Sequence, residues 1–207
     1  MNHLMNIYVS RNFSDQVMIG NYIGNRVKPS QYLNYPQEIL KGILLRHKIV
    51  EFIKNSSVFE RSRKRLKPCF VKRSTLLVGI FYEHFLAANW NKYHSSSLNA
   101  TVQEGYLKII DNMPFISFRF RRFVLRLFVK GYINNLATLA GVHDFMLFIN
   151  FPTNLYASIE DLIQNYQLFK CDFEEFLPEL NKYILEIHPA EKVNSKIPVK
   201  YLYAHAG

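Results

Sequence analysis

The side chains best suited to catalysis in this sequence are two adjacent residues, Glu83 and His84, which lie within a long apolar stretch, residues 74–93. A carboxylate and an imidazole can bind a metal ion or transfer protons. Successive residues of a helix point about 100° apart, so this pair can face one site only from opposite flanks. The competing interpretation is a core histidine whose hydrogen bonds are satisfied internally.

A second candidate pair is His47 and Glu51, which are four residues apart and would share one face of a helix. They could form one functional site together with Glu83 and His84, which we call the reorganised site. Alternatively, they could form a solvated contact with each other on the surface. Other catalytic signatures are weak. The segment GNYIG, residues 20–24, lacks the lysine that follows a phosphate-binding loop.

Helical periodicity predicts the elements that position these residues. Pro36 lies at the start of a helix with an apolar stripe, where its missing N–H costs nothing. Ser57 and Glu60 have the spacing of a capping box that opens a second, basic helix ending at Pro68. A third helix begins at Ser74. It is apolar nearly all round, which predicts a central position in the core.

The remaining periodic segments also favour helices. Asn99 can cap a fourth helix, and further helices are predicted over residues 114–135, 139–150 and 158–185, with a kink or break at Pro178. Period-two alternation is short and weak. The sequence therefore predicts an all-α, compact helical bundle, in which residues 1–187 form one domain and residues 188–207 a C-terminal tail.

Charge is distributed unevenly along the chain. The formal net charge is +10, from 26 Lys and Arg against 16 Asp and Glu. Residues 46–73 contain ten basic and two acidic residues, and residues 119–130 contain five basic residues and no acid. Residues 158–186 reverse the balance, with seven acids and two lysines. This asymmetry predicts an anionic partner, which could be an acidic protein, a phosphorylated ligand or nucleic acid.

The sequence favours a cytoplasmic protein without a membrane span. Its first residues lack the basic start and the long apolar stretch of a secretory signal. The most apolar stretch, residues 115–127, is interrupted by four arginines, and a run of about 18 uncharged apolar residues is absent.

Three segments, in this order and spacing, carry a resemblance to a known family. They are MNHLMNIYVS (residues 1–10), IGNYIGNRVKPSQYLNYPQEILKGILLRHKIVEFIKN (residues 19–55) and STLLVGIFYEHFLAANWNKY (residues 74–93). The chain resembles the acyl carrier protein phosphodiesterases, an all-helical family related to the HD phosphohydrolases. The resemblance is densest up to about residue 93 and continues more loosely to about residue 183.

The resemblance implies a reaction, a cofactor and a partner. Members of that family act in fatty acid biosynthesis by hydrolysing the phosphodiester that joins the 4′-phosphopantetheine arm to holo-acyl carrier protein. They use a divalent metal ion, typically manganese. The expected partners are therefore the acidic acyl carrier protein and its 4′-phosphopantetheine arm. A basic surface suits such a partner, and we expect the basic helix to supply it, through Arg61, Arg63, Lys64, Arg65 and Lys67.

Most positions of the family's metal site hold other residues here. The replaced positions are Asn6, Asn25, Arg46, Val50, Lys54 and Gly79. His84 is retained, Glu83 stands where the family has aspartate, and His47 stands at an arginine position. Asn and Val are poor ligands for a hard dication, and Arg46 and Lys54 would repel it. We therefore expect little tightly bound manganese. Glu83, His84 and His47 are the remaining catalytic candidates. Among the family's metal positions, only those of His84 and Glu83 still hold a possible metal ligand, unless a reorganised site adds His47 and Glu51.

The sequence leaves three functions open. The first is the family's metal-dependent hydrolysis. The second is a catalytically impaired relative that still binds acyl carrier protein or its arm, with Arg and Lys holding the phosphate directly. The third is a basic module that binds nucleic acid or another protein, for which charge is the only support.

Overall fold

A computed structural model describes residues 3–151 and 154–187, and all regular structure in these two ranges is helical. The α-helices are α1 (His3–Val9), α2 (Asp15–Ile23), α3 (Gln37–Asn55), α4 (Ser57–Arg65), α5 (Ser74–Ala88), α6 (Leu98–Asp111), α7 (Phe118–Val129), α8 (Tyr132–Asn135), α9 (Leu139–Phe148), α10 (Leu155–Gln164) and α11 (Tyr166–Glu186). Short 3-10 helices occupy Gly24–Arg26, Pro29–Asn34, Pro68–Arg73, Trp90–Lys92 and Met113–Phe115. The all-α prediction is confirmed. The predicted tail, residues 188–207, lies outside the described residues.

The central position predicted for the third helix is also confirmed. In α5, twelve of fifteen residues are buried, and the helix packs against α1, α4, α9 and α11. Phe81 and Phe85 make ring contacts with Phe169 and Phe173 of α11. Burying each such ring stabilises the fold by roughly 1.5–3 kcal/mol. Polar residues on α5 are buried along with these rings, so each needs an internal partner.

Helices α2 and α3 cross at two glycines, and this crossing places part of the candidate site. A Cβ added at Gly20 would lie 2.0 Å from the carbonyl oxygen of Ile39, and one added at Gly42 would lie 2.1 Å from that of Val17. Both positions therefore require glycine. At the end of the same contact, a Cβ at Gly24 would lie 2.7 Å from Arg46 Cβ. The turn after α2 thus lies directly against the side chain of Arg46.

Two predicted helix caps were wrong by one or two residues. Helix α4 is capped by Ser56, whose hydroxyl accepts the N–H of Phe59, and not by Ser57. Helix α6 is capped by Ser97 in place of Asn99. In each case the serine has the extended backbone that a cap requires, while the predicted residue already lies inside the helix.

Two predicted helices are in fact divided. The segment predicted over residues 114–135 forms α7 and α8, separated by Gly131 at a φ of 66°, a left-handed conformation that ends a helix. The segment over residues 158–185 belongs to α10 and α11, which are separated at Asn165. Pro178 lies inside α11, so of the predicted kink or break at this proline the break was wrong. Burial of the neighbouring Leu177 and Leu180 helps to offset the missing hydrogen bond.

None of the helices in the described ranges combines the length and the apolar character needed to cross a bilayer.

Candidate functional site

Glu83 is a buried carboxylate that caps α1. Its side chain is 1% exposed, and it accepts hydrogen bonds from the backbone N–H of His3 at 2.9 Å and of Met5 at 2.7 Å. The first N–H groups of a helix have no partner within the helix, so the carboxylate satisfies donors that α1 cannot. Burial raises the pKa of Glu83 to about 7, although the backbone donors oppose this.

The side chain of His84 contacts other elements than the side chain of Glu83 does. Its Nδ1 lies 2.8 Å from the carbonyl oxygen of Leu136, and its Nε2 lies 3.0 Å from the hydroxyl of Tyr166. A carbonyl can only accept, so Nδ1 carries the proton and Nε2 accepts from the tyrosine. Burial lowers the pKa of His84. The side chain is therefore a neutral core histidine with both nitrogens in use, and the structure does not bring it to one site with Glu83.

Because His84 is buried and hydrogen-bonded in its neutral form, we predict that its contribution to stability depends on pH. Because its pKa is lowered in the folded state, we expect this contribution to be complete above the unfolded pKa, about 6.5, and to be lost as pH falls below it. The difference in free energy of unfolding between wild type and His84→Asn should therefore shrink between pH 7.5 and 5.5, as measured by urea denaturation. A constant difference across that range would contradict the neutral assignment.

The side chain of His47 contacts a tyrosine on a different element, the 3-10 helix Pro29–Asn34. Its Nε2 is 3.4 Å from the hydroxyl of Tyr32, and burial lowers its pKa. Glu51, on the same helix, is exposed. Among the described residues, no group of three or more His, Cys, Asp and Glu side chains is placed to hold a metal ion. The reorganised site of His47, Glu51, Glu83 and His84 is thus not assembled in this part of the chain.

Arg46 is the most deeply buried cation at the family positions. It is 6% exposed, and its Nη1 donates to Asn6 Oδ1 at 2.8 Å. Burial lowers the pKa of Arg46 to about 10, while the charge of Glu83 acts in the opposite direction. The guanidinium therefore stays protonated at neutral pH. Positions 6 and 46, two of the replaced metal-site positions, are here joined by a direct hydrogen bond between an amide and a cation.

A cavity of about 340 Å³ opens beside Arg46, and we call it the basic cavity. Its lining residues come from the turn after α2, from α3 and α4, and from the entry into α5: Asn25, Arg46, Val50, Ile53, Lys54, Phe59, Lys72, Arg73, Thr75 and Leu76. Four positions singled out from the sequence therefore converge here, namely Asn25, Arg46, Val50 and Lys54. Gly79 is buried in α5 and does not line the cavity.

The residues of the basic cavity do not fit a divalent cation. The lining includes four cations and no carboxylate or imidazole. Its neutral oxygen donors are the side chains of Asn25 and Thr75, and hard dications in proteins need carboxylates to offset the cost of dehydration. The manganese that the resemblance implies thus has no adequate donor set at these positions.

Lys72 and Arg73 also line this cavity, although the sequence did not identify them as site residues. They belong to the 3-10 helix Pro68–Arg73, which runs directly into α5. Their place in the sequence could have indicated this, because the two cations immediately precede the helix on which the family pattern places metal ligands. That position becomes informative only when the start of α5 is known to lie beside Lys54 at the end of α3.

The basic helix predicted to bind the partner is α4, and most of its charge is paired internally. Arg61 and Arg65 lie 2.6 and 2.8 Å from the carboxylate of Asp172, which is 1% exposed. Further pairs join Arg63 to Glu60 at 2.7 Å and Lys67 to Glu160 at 3.2 Å. Lys64 is exposed and makes no ion pair with any described residue. A partner role for these five residues stays a prediction.

The second basic cluster lies on the exposed face of α7. Arg119 and Arg122 are exposed there, beside Phe118 at 69% and Val129 at 74% exposure. Neither arginine forms an ion pair within the two described ranges. The helix also touches the turn that leads to the basic cavity, because the Arg26 guanidinium lies 4.0 Å from the ring centre of Phe120. The face of α7 therefore presents cations and apolar side chains together.

Comparisons with known proteins agree with the resemblance seen in the sequence. Residues 1–180 match the family described as "Acyl carrier protein phosphodiesterase". Proteins of that name from Yersinia enterocolitica and Pectobacterium atrosepticum are each 22% identical over 185 residues, covering 87% of this chain and 95% of the relative. One from Yersinia pestis is 21% identical over 145 residues, covering 70% of this chain and 75% of the relative. No solved structure matches significantly.

Proposed function

Because this chain belongs to the acyl carrier protein phosphodiesterase family, we propose that it binds acyl carrier protein and that its metal-dependent hydrolysis is impaired. The basic cavity is the observation that supports impairment. Arg46 and Lys54 occupy positions where the family pattern has metal ligands, and Lys72 and Arg73 add two more positive charges. A site with this charge disfavours a dication, and without the dication no bound water is converted into the nucleophilic hydroxide.

The proposed binding of acyl carrier protein is supported by surface cations that make no ion pair within the described ranges. The chain has a formal net charge of +10, and the exposed Arg119 and Arg122 of α7 are available to an acidic protein. Unpaired surface charges of this kind speed association by steering the partner, and salt screens them. Phe118 beside these arginines supplies the apolar contact that a specific interface also needs.

The proposal is tested by measuring release and binding on one substrate. With holo-acyl carrier protein and manganese, we expect no release of phosphopantetheine above background, because the donor set is absent from the basic cavity. Holo-acyl carrier protein should nevertheless bind in a surface-binding assay, with an association rate that falls steeply as salt rises. The relative from Yersinia enterocolitica is the positive control for release.

Two double variants show whether a loss of binding comes from the face of α7 or from a general change in charge or folding. Arg119→Glu with Arg122→Glu should slow association, since both side chains are exposed and unpaired within the described ranges. Lys182→Glu with Lys48→Glu changes the same number of charges at exposed positions outside α7 and is the matched control. Manganese-dependent release by the wild type would refute impairment. Tighter binding of duplex DNA or RNA than of the carrier protein at physiological salt would favour the nucleic-acid alternative.

A further inference from the structure

Helix α7 carries an apolar stripe on the side that faces away from the core. The buried residues of the helix are Phe120, Val124 and Leu127. Successive helical residues advance by about 100°, so Phe118, Leu125 and Val129 lie within about 40° of one another on the opposite side. We call these three residues the α7 stripe, and all of them are exposed. A surface helix of a globular protein normally has polar residues in this position, so the stripe indicates a partner that covers it.

Basic residues flank the α7 stripe without local counter-charges. The exposed cations of this helix and its C-cap are Arg119, Arg122, Arg126 and Lys130. None of the four forms an ion pair within the two described ranges. Residues 112–143 contain no Asp or Glu at all. The face around the stripe is therefore uniformly positive along its own part of the chain, and it favours an anionic partner.

The α7 stripe is held in place by the packing of the helix. The ring of Phe123 stacks on that of Phe148, with ring centres 5.1 Å apart, and the Arg126 guanidinium lies 5.6 Å from the same Phe148 ring. At the start of the helix, Arg121 Nε donates to the carbonyl oxygen of Ile116 at 2.5 Å. These contacts fix the orientation of α7, so a partner finds the stripe already formed and pays little ordering entropy.

The shape and chemistry of this face fit the surface of a lipid bilayer. The stripe runs from the first residue of α7 to the last, a length of about 17 Å, so a planar surface can contact all of it at once. Helices that lie in a membrane interface place apolar side chains at the acyl boundary and cations at the headgroups. The long stems of arginine and lysine allow the charges to reach the headgroups while the stripe is buried. Nucleic acid fits less well, because Leu125 and Val129 add little to its phosphate contacts.

We propose that the exposed face of α7 binds the surface of a bilayer that contains anionic lipids. Phe118, Leu125 and Val129 enter the boundary between headgroups and acyl chains, and the flanking cations contact the headgroups. This peripheral binding needs no metal ion and goes beyond the proposed function above. Since the proposed function places acyl carrier protein on the same face, vesicles and carrier protein should compete for it.

Co-sedimentation of the full chain with lipid vesicles, without carrier protein, tests the proposal. We expect binding to vesicles of phosphatidylcholine mixed with phosphatidylglycerol, weakening as salt rises, and no binding to phosphatidylcholine alone. The triple variant Phe118→Ser, Leu125→Ser, Val129→Ser should weaken binding to the mixed vesicles by about tenfold or more, because it removes the apolar burial and keeps every charge. All three side chains are exposed, so the variant should fold, and its thermal melt verifies this.

A matched variant controls for a general loss of exposed apolar surface. Leu33→Ser, Leu168→Ser, Leu185→Ser replaces three exposed leucines outside α7 and should bind the mixed vesicles like the wild type. Both triple variants keep the formal net charge of +10. A difference between them therefore reports contact of the stripe with the bilayer, and not merely attraction of a basic protein to anionic lipid.

A single substitution reports insertion of the stripe directly. The chain has one tryptophan, Trp90, which is 3% exposed. In Phe118→Trp, the new indole should move its fluorescence emission to shorter wavelength when the mixed vesicles are added, because it leaves water for the interface. Unchanged emission of Phe118→Trp in the presence of bound vesicles would show that the stripe does not enter the bilayer.

The proposal is overturned if the mixed vesicles do not bind, or if the stripe variant binds them as well as the wild type does. If the stripe variant loses carrier protein but still binds vesicles normally, the stripe belongs to a protein interface instead. Binding of carrier protein without binding of vesicles would leave the proposed function intact and refute only the bilayer contact. Binding of vesicles without binding of carrier protein would do the reverse.

Discussion

Replacing Glu83 by alanine is expected to lower the free energy of unfolding by about 3–5 kcal/mol. The carboxylate is 1% exposed and accepts the N–H groups of His3 and Met5. Its removal leaves those donors without a partner in the interior, and each unsatisfied donor costs about 1–3 kcal/mol. It also removes the negative charge whose field acts on the buried guanidinium of Arg46.

Urea denaturation of the variant and of two comparison proteins measures this effect. Glu51→Ala is the matched control, because Glu51 is an exposed glutamate within a helix, and its loss should change stability by less than about 0.5 kcal/mol. Glu83→Gln keeps the shape but has one acceptor oxygen in place of two, so it should be intermediate. If Glu83→Ala is no less stable than Glu51→Ala, the cap on α1 is not an important contact.

Replacing Asp172 by alanine is expected to lower the free energy of unfolding by about 2–4 kcal/mol. Asp172 is 1% exposed and accepts from Arg61, Arg65 and Ser62, so it ties α4 to α11. The arginine side chains are 45% and 25% exposed, which lets water solvate the remaining charges and limits the loss. Glu175→Ala is the control on the same helix: it also pairs with Arg61, but it is 51% exposed and should cost less than about 1 kcal/mol.

The pKa of Asp172 determines how the stability difference between wild type and Asp172→Ala should change with pH. Burial alone would raise it, but hydrogen bonds from Arg65, Ser62 and Arg61 outweigh burial and hold the pKa below its usual value. A carboxyl whose folded pKa is lowered stabilises the fold above its unfolded pKa, about 3.9, and loses that contribution as pH falls further. The stability difference between wild type and Asp172→Ala should therefore be constant near neutral pH and shrink below about pH 4. Equal stability of the two proteins at pH 7 would contradict the structural role.

The pairing of Asp172 also limits how docking to a partner can be studied. Reversing the charge of Arg61 or Arg65 would disturb the contact between α4 and α11 as well as any surface interaction. A loss of partner binding in such variants would mix folding with recognition. Arg119 and Arg122 of α7 avoid this difficulty, because they are exposed and make no ion pair within the described ranges.

Features that depend on local periodicity could be predicted from the sequence. A stretch that is apolar nearly all round can be stable only inside the protein, so burial of α5, and with it of Glu83 and His84, followed from residues 74–88 alone. The all-α class followed in the same way. The family pattern, which depends on order and spacing along the chain, identified Asn25, Arg46, Val50 and Lys54 before their convergence was known.

Tertiary packing decided the partners of those buried and charged groups. Adjacent residues of α5 face different neighbours, so Glu83 caps α1 while His84 contacts Leu136 and Tyr166. Arg61 pairs with a carboxylate 111 residues later in the chain, so its charge is not free as the local composition suggested. Helix formation depends on neighbours three and four residues away, but an ion pair or a cavity depends on which distant elements meet, and local spacing carries no information about that. For this reason the basic cavity, with Lys72 and Arg73 joined to Arg46 and Lys54, was visible only in the folded chain.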